Sequence, residues 1–508
     1  MKRIINKCLF ALLLATSLVS CKKFLERKPI NAATDGNFWN NESEANSSMA
    51  GAYSMLRTAL MEQGMSYYYY GDFATDEFLS NLPGEDINHI GNINWSFFIP
   101  STELHRGLLR LRRWDNFYRA IDQANRCIKY IPNIPVDQFT SANKQAAKDA
   151  LVGEAYFLRA FNYFYMARVW GDVPLVTESI EDAALASELA RTPQADILAQ
   201  CIKDIEAALP KMTWAPASAN RAIRVSKGAA FALLAHIYAW KGEYDKVIPA
   251  ADSVILKGGY THVNRSTTAS YLSMFKGNSS EGIFEIAKNA NNEGSGLNNA
   301  VIGDISFRTL KTPYLATVLG NSQFTLDVPS LNALFPNTAD SVDYRRKNGF
   351  AFWGTTDPIN IKYSNIIYTA ANNTSPVSLN NIIIFRLADI KLLKAEALAA
   401  QSAFGDARTI INEIRTLNNV SPYLGADNLL FEAAIEERAR ELFLEGHRFY
   451  DLVRLARKTG TLKFNGSGAI VRMDGTQFQQ GKYYWPVDPI LIQLNPLLEQ
   501  TPFWRDKM

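Results

Sequence analysis

Cysteine, histidine and net charge are all scarce in this chain. Its 508 residues include four cysteines and five histidines. One cysteine (Cys8) lies in an apolar leader and Cys21 directly follows that leader, which leaves Cys127 and Cys201 in the body of the chain. One possible pair in so long a chain is no disulfide framework. A Cys127–Cys201 bridge stays open, with two buried free thiols as the expectation. The histidines (His89, His105, His236, His262 and His447) are scattered without metal-ligand spacing, so no metal or other cofactor is expected. His236 falls inside a helical pattern and reads as a packing residue. There is no Gly-x-Ser-x-Gly elbow, no His-Glu-x-x-His helix and no phosphate-cradling Gly-Lys-Ser/Thr loop. The formal charge of +3 falls to zero if residues 1–20 are removed, because they carry three cations and no acid. A neutral chain lacks the electrostatic footprint of a nucleic-acid binder.

Long apolar runs are also few. The single one, Cys8 to Leu18, is interrupted only by Thr16 and Ser17 and follows Lys2, Arg3 and Lys7. It is shorter than the roughly 20 residues that span a bilayer. It leads into Leu18-Val19-Ser20-Cys21, which resembles a bacterial lipobox. Residues 1–20 therefore read as a lipoprotein signal peptide and Cys21 as the first mature residue, carrying diacylglycerol and further acyl chains such as palmitate. No second such run exists, so lipid is the expected membrane attachment.

Hydrophobic residues make up 47% of the chain, ample for a large core, and aromatics 12%. Residues 21–40 read as a lipid-anchored tether. Residues 41–257 read as a helical scaffold interrupted by a loop at 62–110. Met49, Tyr53, Leu56 and Leu60 recur at helical spacing, as do Phe117, Ile121, Ala124 and Ile128. A long helix is predicted from about Asn143 to Val169, stopping at Gly171-Asp172-Val173-Pro174. Thr192-Pro193 offers a capping hydroxyl and a first-turn proline to the next. In 226–256, two apolar stripes flank the turn Lys241-Gly242-Glu243-Tyr244, and small alanines permit close helix approach, in the manner of a tetratricopeptide unit. A second pair is predicted at 386–417 around Phe404-Gly405-Asp406-Ala407, and a final helix from about Asn428 to Arg457. The spacing of units is irregular. The expected fold is therefore all-α, a tetratricopeptide-like helical-repeat scaffold with insertions.

Residues 258–385 differ in character. They are rich in Asn, Ser, Thr and Gly, and aromatics such as Tyr260, Tyr271, Phe307, Tyr314, Phe350, Phe352, Trp353 and Tyr363 interrupt that polar background. So long an irregular stretch usually carries function. The loop at 62–110 shares this character, with Tyr67 to Tyr70 in a row and then Trp95, Phe97 and Phe98. Residues 386–508 return to helical scaffold and tail.

Five blocks in order behind the lipobox resemble the SusD/RagB family. They are Trp114-Asp115-Asn116-Phe117-Tyr118-Arg119-Ala120-Ile121; Glu154 to Ala160 running to Trp170-Gly171-Asp172-Val173-Pro174-Leu175; Phe385-Arg386-Leu387-Ala388-Asp389; Ile435 to Arg438 with Glu445 to Leu452; and Trp485-Pro486-Val487 with Asn495-Pro496. The resemblance implies an outer-membrane lipoprotein displayed on the extracellular side, seated like a lid on a SusC-like TonB-dependent transporter. It also implies capture of glycan or peptide without catalysis. Lys22 and Lys23 depart from the acidic residues that the family often carries after the lipidated cysteine. The charges within the blocks read as scaffold: Glu436 and Arg440 stand four apart on one helix and suit an ion pair, whereas Glu154 and Arg159, five apart, should find different partners.

Sugar rings present an apolar C–H face and a rim of hydroxyls, which flat aromatics and hydrogen-bonding side chains engage. Trp95 and Trp353, supported by Phe98, Phe352 and Tyr363, are the expected platforms. Asp72, Asn92 and Asn94 are the expected polar partners. Alternatives are a lipid-anchored glycoside hydrolase using an Asp/Glu pair, for which Asp72, Asp76 and Glu77 are the nearest candidates, a peptide-binding member of the same family, or a purely structural transporter subunit.

Overall fold

The computed structural model describes residues 38–508 apart from 63–65, 80–83, 101, 104, 180–187, 215–219, 290–303, 317–323, 337–341, 370–374 and 469. The expected leader, the expected lipidation site Cys21 and nearly all of the expected tether lie outside the described residues.

Helix α1 (Glu42–Leu60) starts where the Asn41 side chain accepts the Glu44 amide. After the short helix α2 (Ser66–Gly71), α3 (Asp115–Tyr130) packs between α1 and the long α4 (Lys144–Trp170). Asn143 caps α4 through the Ala146 amide, and Gly171, at φ 75°, ends it. From Leu151 onward nearly every α4 side chain is buried, since α1, α3 and the next helix, α5 (Gln194–Ala208), enclose it. Thr192 does not cap α5. Its backbone bridges Val173, and Asp172 Oδ1 accepts the Gln194 amide at 2.7 Å in its place.

The predicted helix pair is α6 (Lys227–Lys241) and α7 (Tyr244–Lys257), closed by Gly242 in the left-handed conformation at φ 77°. Alanines on both partners (Ala232, Ala235, Ala250, Ala251) are fully or nearly fully buried, so the helices pack closely. Helix α8 (Leu387–Ala400) stacks on α7 and pairs with α9 (Phe404–Leu417). The turn between them falls at 401–403, with Ser402 at φ 63°, and the Phe404–Ala407 segment already opens α9.

The final helix is two helices, α10 (Leu430–Glu441) and α11 (Arg448–Thr459). The break sits at Leu444 and Gly446, both at positive φ. It exists because backbone meets backbone there: a Cβ on Gly71 would stand 2.3 Å from the Gly446 carbonyl oxygen. Tyr67 donates its hydroxyl to the Glu445 carbonyl at 3.0 Å, and Asp72 accepts the Gly446 amide at 2.7 Å. No helix among the described residues is long and apolar enough to cross a membrane.

The region after α7 carries short antiparallel strand pairs. β1 (Gly282–Ile286) pairs with β6 (Ile382–Arg386), which runs straight into α8. β2 (Phe350–Ala351) pairs with β3 (Ile359–Asn360), and β4 (Ile366–Tyr368) with β5 (Pro376–Ser378). The scaffold is thus helical and tetratricopeptide-like, as expected, with small β elements in its irregular part. Cys127 and Cys201 are free and buried.

Candidate functional site

Several of the expected site residues face inward. Trp95 is 1% exposed, stacked on Trp485 at 4.2 Å with 12° between planes, and its indole N–H donates to the Ile90 carbonyl. It is core rather than platform, because a ring three residues from a polar stretch finds an aromatic partner far along the chain. Tyr363 is likewise buried and donates to the Leu444 carbonyl at 2.6 Å. The tyrosine run is not a loop feature: Tyr67 to Tyr70 lie on α2 and all four rings are buried.

Asp72 is buried too, and its role is to order the break between α10 and α11. Burial pushes its carboxyl up to about 8, against the pull of the Gly446 and Arg448 amides. The fold therefore favours protonated Asp72, so its contribution to stability is full below the ordinary carboxylate range. That contribution fades as pH rises and is gone above about 8. Asp72→Asn should remove this dependence. Denaturant titrations at pH 5 and pH 8 are expected to show a larger fall for the parent than for the variant. Equal falls would contradict the assignment. Asp76 pairs with Arg448 at 2.7 Å, and Glu77 is buried near the same guanidinium. None of these three carboxyls lines the cleft at Phe98.

The charged blocks tie helices together. Glu154 takes Arg224 and the Tyr53 hydroxyl, and Arg159 takes Asp204, so the two point to different neighbours. Arg440 pairs with Glu437 at 2.7 Å, not with Glu436, which takes Lys463 at 3.1 Å and Arg448 at 3.5 Å. The i,i+4 expectation fails because Lys463 and Arg448, both beyond α10, occupy Glu436. His236 Nε2 donates to the Asp389 carboxylate at 2.9 Å in the core, a packing role.

The remaining candidates are accessible, in two places. Phe98 is 80% exposed and lines a cleft of about 410 Å³ between residues 96–100 and the short helix Pro489–Leu494. Ile99, Leu109 and Ile490 supply apolar wall. Arg112 and Asp488 supply charge from nearly complete burial. Arg112 Nη2 donates to the Phe97 carbonyl at 2.6 Å, while its Nε has no acceptor among the described residues. Burial lowers this guanidinium to about 10. Asp488 is held by Arg113 at 2.6 Å. Nearby in sequence, exposed Asn94 contacts His89 Nδ1 at 2.9 Å, His89 stacks on Phe97, and half-buried Asn92 donates to Asn88.

The second place is the hairpin joining β2 to β3. Phe352, 38% exposed, is held at φ 57°, a backbone region that costs a non-glycine residue on the order of 1 kcal/mol. Lys311 Nζ lies 4.6 Å from its ring centroid and Tyr314 packs edge-on at 6.4 Å. Trp353 is half-buried, with Phe350 and Phe335 edge-on to it and Arg346 5.7 Å from its ring. Arg112, Asp488 and Lys311 carried no sequence signal, since each reaches its site from a different segment.

The helical-repeat scaffold carries exposed aromatics on irregular connections. Residues 341–504 match the model of the SusD family, and residues 23–239 match a model described as starch-binding and associating with the outer membrane. The chain belongs to the SusD family. SusD-like protein P38 of Formosa agariphila is 26% identical across 95% of this chain and 96% of its own length. The starch-binding protein SusD of Bacteroides thetaiotaomicron is 38% identical over 112 residues, 22% of this chain and 19% of that one. Among solved structures, a SusD homolog from Bacteroides thetaiotaomicron superposes with TM-score 0.76 at 25% identity, covering 92% of this chain and 99% of that one. A laminarin-binding SusD-like protein gives 0.69 at 21% identity, covering 91% and 99%, a likeness of fold.

Proposed function

We propose that this protein is a lipid-anchored glycan-binding protein of the cell surface. It would capture oligosaccharides without cleaving them and pass them to a SusC-like TonB-dependent transporter in the outer membrane. Support comes from the family model described as starch-binding and outer-membrane-associated, from the starch-binding relative, and from the lipobox at Cys21. The observation that carries the reading is Phe98: a ring 80% exposed on a 410 Å³ cleft that Arg112 and Asp488 also line. An aromatic face covers the C–H patch of a sugar, and polar side chains at the rim meet its hydroxyls. Phe352 and Trp353 provide a second aromatic station for a longer chain, and Asn92 and Asn94 polar contacts beside the first.

Glycoside hydrolysis needs two carboxyl groups roughly 5–9.5 Å apart across the bond. Among the described residues, the Phe98 cleft is lined by one side-chain carboxylate, Asp488, already paired with Arg113. Titration against oligosaccharides and peptides, with analysis of products in the same samples, tests the reading. Saturable glycan binding with intact ligand is expected. Cleaved product, peptide binding alone, or no binding to either ligand class would overturn it. Phe98→Ala should weaken glycan affinity roughly tenfold, about 1.4 kcal/mol, and leave folding stability within about 0.5 kcal/mol.

A further inference from the structure

Across the cleft from Phe98 stands a second wall, the short helix Pro489–Leu494. Leu491 and Ile492 of that helix pack on the core, while Ile490 and Gln493, three residues apart and so on one face, line the cleft. The helix is pinned at its start. Asp488 accepts the Ile490 amide at 3.1 Å and binds Arg113 at 2.6 Å, and its own amide donates to the Arg112 carbonyl at 3.1 Å. Gln493 is thus an exposed side chain on a fixed backbone, facing the ring of Phe98. The charged side chains of the cleft are committed to the protein. Asp488 is held as described, Arg112 Nη2 donates to the Phe97 carbonyl at 2.6 Å, and Lys507 Nζ donates to the Phe503 carbonyl at 2.6 Å and lies 4.0 Å from the Phe503 ring centroid. The neutral polar side chains are not: the Gln493 amide and the Ser96 and Thr102 hydroxyls have no hydrogen-bond partner among the described residues. Of these the amide is the more selective. It sets a donor and an acceptor side by side, whereas a hydroxyl rotates to suit whatever it meets.

We infer that Gln493 is the specificity-determining residue of this cleft, reading two free hydroxyls on adjacent ring carbons of a neutral sugar whose flat face rests on Phe98. The amide oxygen accepts from one hydroxyl and the amide N–H donates to its neighbour. Ile490, on the same helix face, covers adjoining C–H groups. Linkage then decides which chains are held. A 1,4-linked pyranose chain keeps adjacent free hydroxyls at every residue. A 1,3-linked chain keeps them only at its ends, because the linkage consumes the hydroxyl between C2 and C4. The inference rests on the glycan-capture reading and narrows it: the cleft favours neutral 1,4-linked chains over 1,3-linked ones.

The test is calorimetric titration of the full chain with cellohexaose, mannohexaose, xylohexaose and maltohexaose, all 1,4-linked, and with 1,3-linked laminarihexaose. Parent, Gln493→Ala and Leu494→Ala proteins are compared. Leu494 is 70% exposed on the same helix but stands outside the cleft lining, so its replacement reports any general disturbance of the helix. At least one 1,4-linked hexaose should bind the parent roughly fivefold tighter than laminarihexaose, the scale set by hydrogen bonds at a wet surface. That preference should shrink to about twofold or less in Gln493→Ala and persist in Leu494→Ala. A parent that binds laminarihexaose as tightly as the others, a preference that survives Gln493→Ala, or an equal loss in Leu494→Ala overturns the inference. If the parent binds laminarihexaose alone, the linkage inference is refuted and the capture reading stands. If it binds none of the hexaoses and no other oligosaccharide, both fall.

Discussion

Replacing Glu441 with alanine is expected to destabilise the protein by roughly 3–5 kcal/mol, the range for removing one partner of a buried ion pair. Glu441 ends α10 in complete burial, where Arg265, Arg386 Nη1 at 2.7 Å, Arg345 Nη1 at 3.3 Å and Asn418 Nδ2 at 3.0 Å converge on its oxygens. The same cations reach further carboxylates: Arg265 to Glu281 and Arg345 to Glu437, each at 2.7 Å, while Arg386 and Lys362 share Glu445. This lattice fastens the irregular stretch between α7 and β6 to the helical scaffold. Deleting Glu441 leaves three guanidinium groups short of an anion where water does not reach them. Glu441→Gln keeps hydrogen-bond acceptance and should lose less. Denaturant unfolding of the three proteins decides it. A loss under about 1 kcal/mol for the alanine variant would show that water or rearranged carboxylates replace the missing charge.

Trp95→Ala is expected to cost about 3–5 kcal/mol, as for other large aromatics deleted from a core. The ring fills space against Trp485, with Trp504 at 6.1 Å and Phe449 at 5.9 Å, and its N–H satisfies the Ile90 carbonyl. Its neighbour three residues on, Phe98, points to solvent and should tolerate the same change. Measured by the same unfolding experiment, similar losses at both positions would contradict the opposite orientations assigned to them.

That contrast also marks how far the sequence could be read. Elements defined by local chemistry were legible: the periodic stripes of α1, α3, α6 and α7, the span of α4 and the Gly242 turn. Features set by contacts distant along the chain were not. Trp95 and Phe98 sit in the same polar stretch, and only the position of Trp485 decides that one turns in and the other out. Asp72 looked like a hydroxyl-binding partner on a loop. Its real neighbour, Gly446, is over 370 residues away. The break between α10 and α11 was hidden because a lone glycine inside a helical pattern is tolerable, and the approach of Gly71 that requires it leaves no local trace. Glu436 and Arg440 have the right spacing for each other, yet Lys463 and Glu437 take them. Phe352 and Trp353 lie in the stretch that composition marked as functional, but the cations beside them, Lys311 and Arg346, come from separate segments.

The claim that exposed rings do the work of capture is tested most directly by one affinity measurement. An oligosaccharide that saturates the parent is titrated into the Phe98→Ala/Phe352→Ala double variant, with folding checked by its unfolding midpoint. Loss of most binding at unchanged stability is the result predicted. Undiminished affinity in a folded double variant would mean that ligand is held elsewhere and that these rings are not the docking surface.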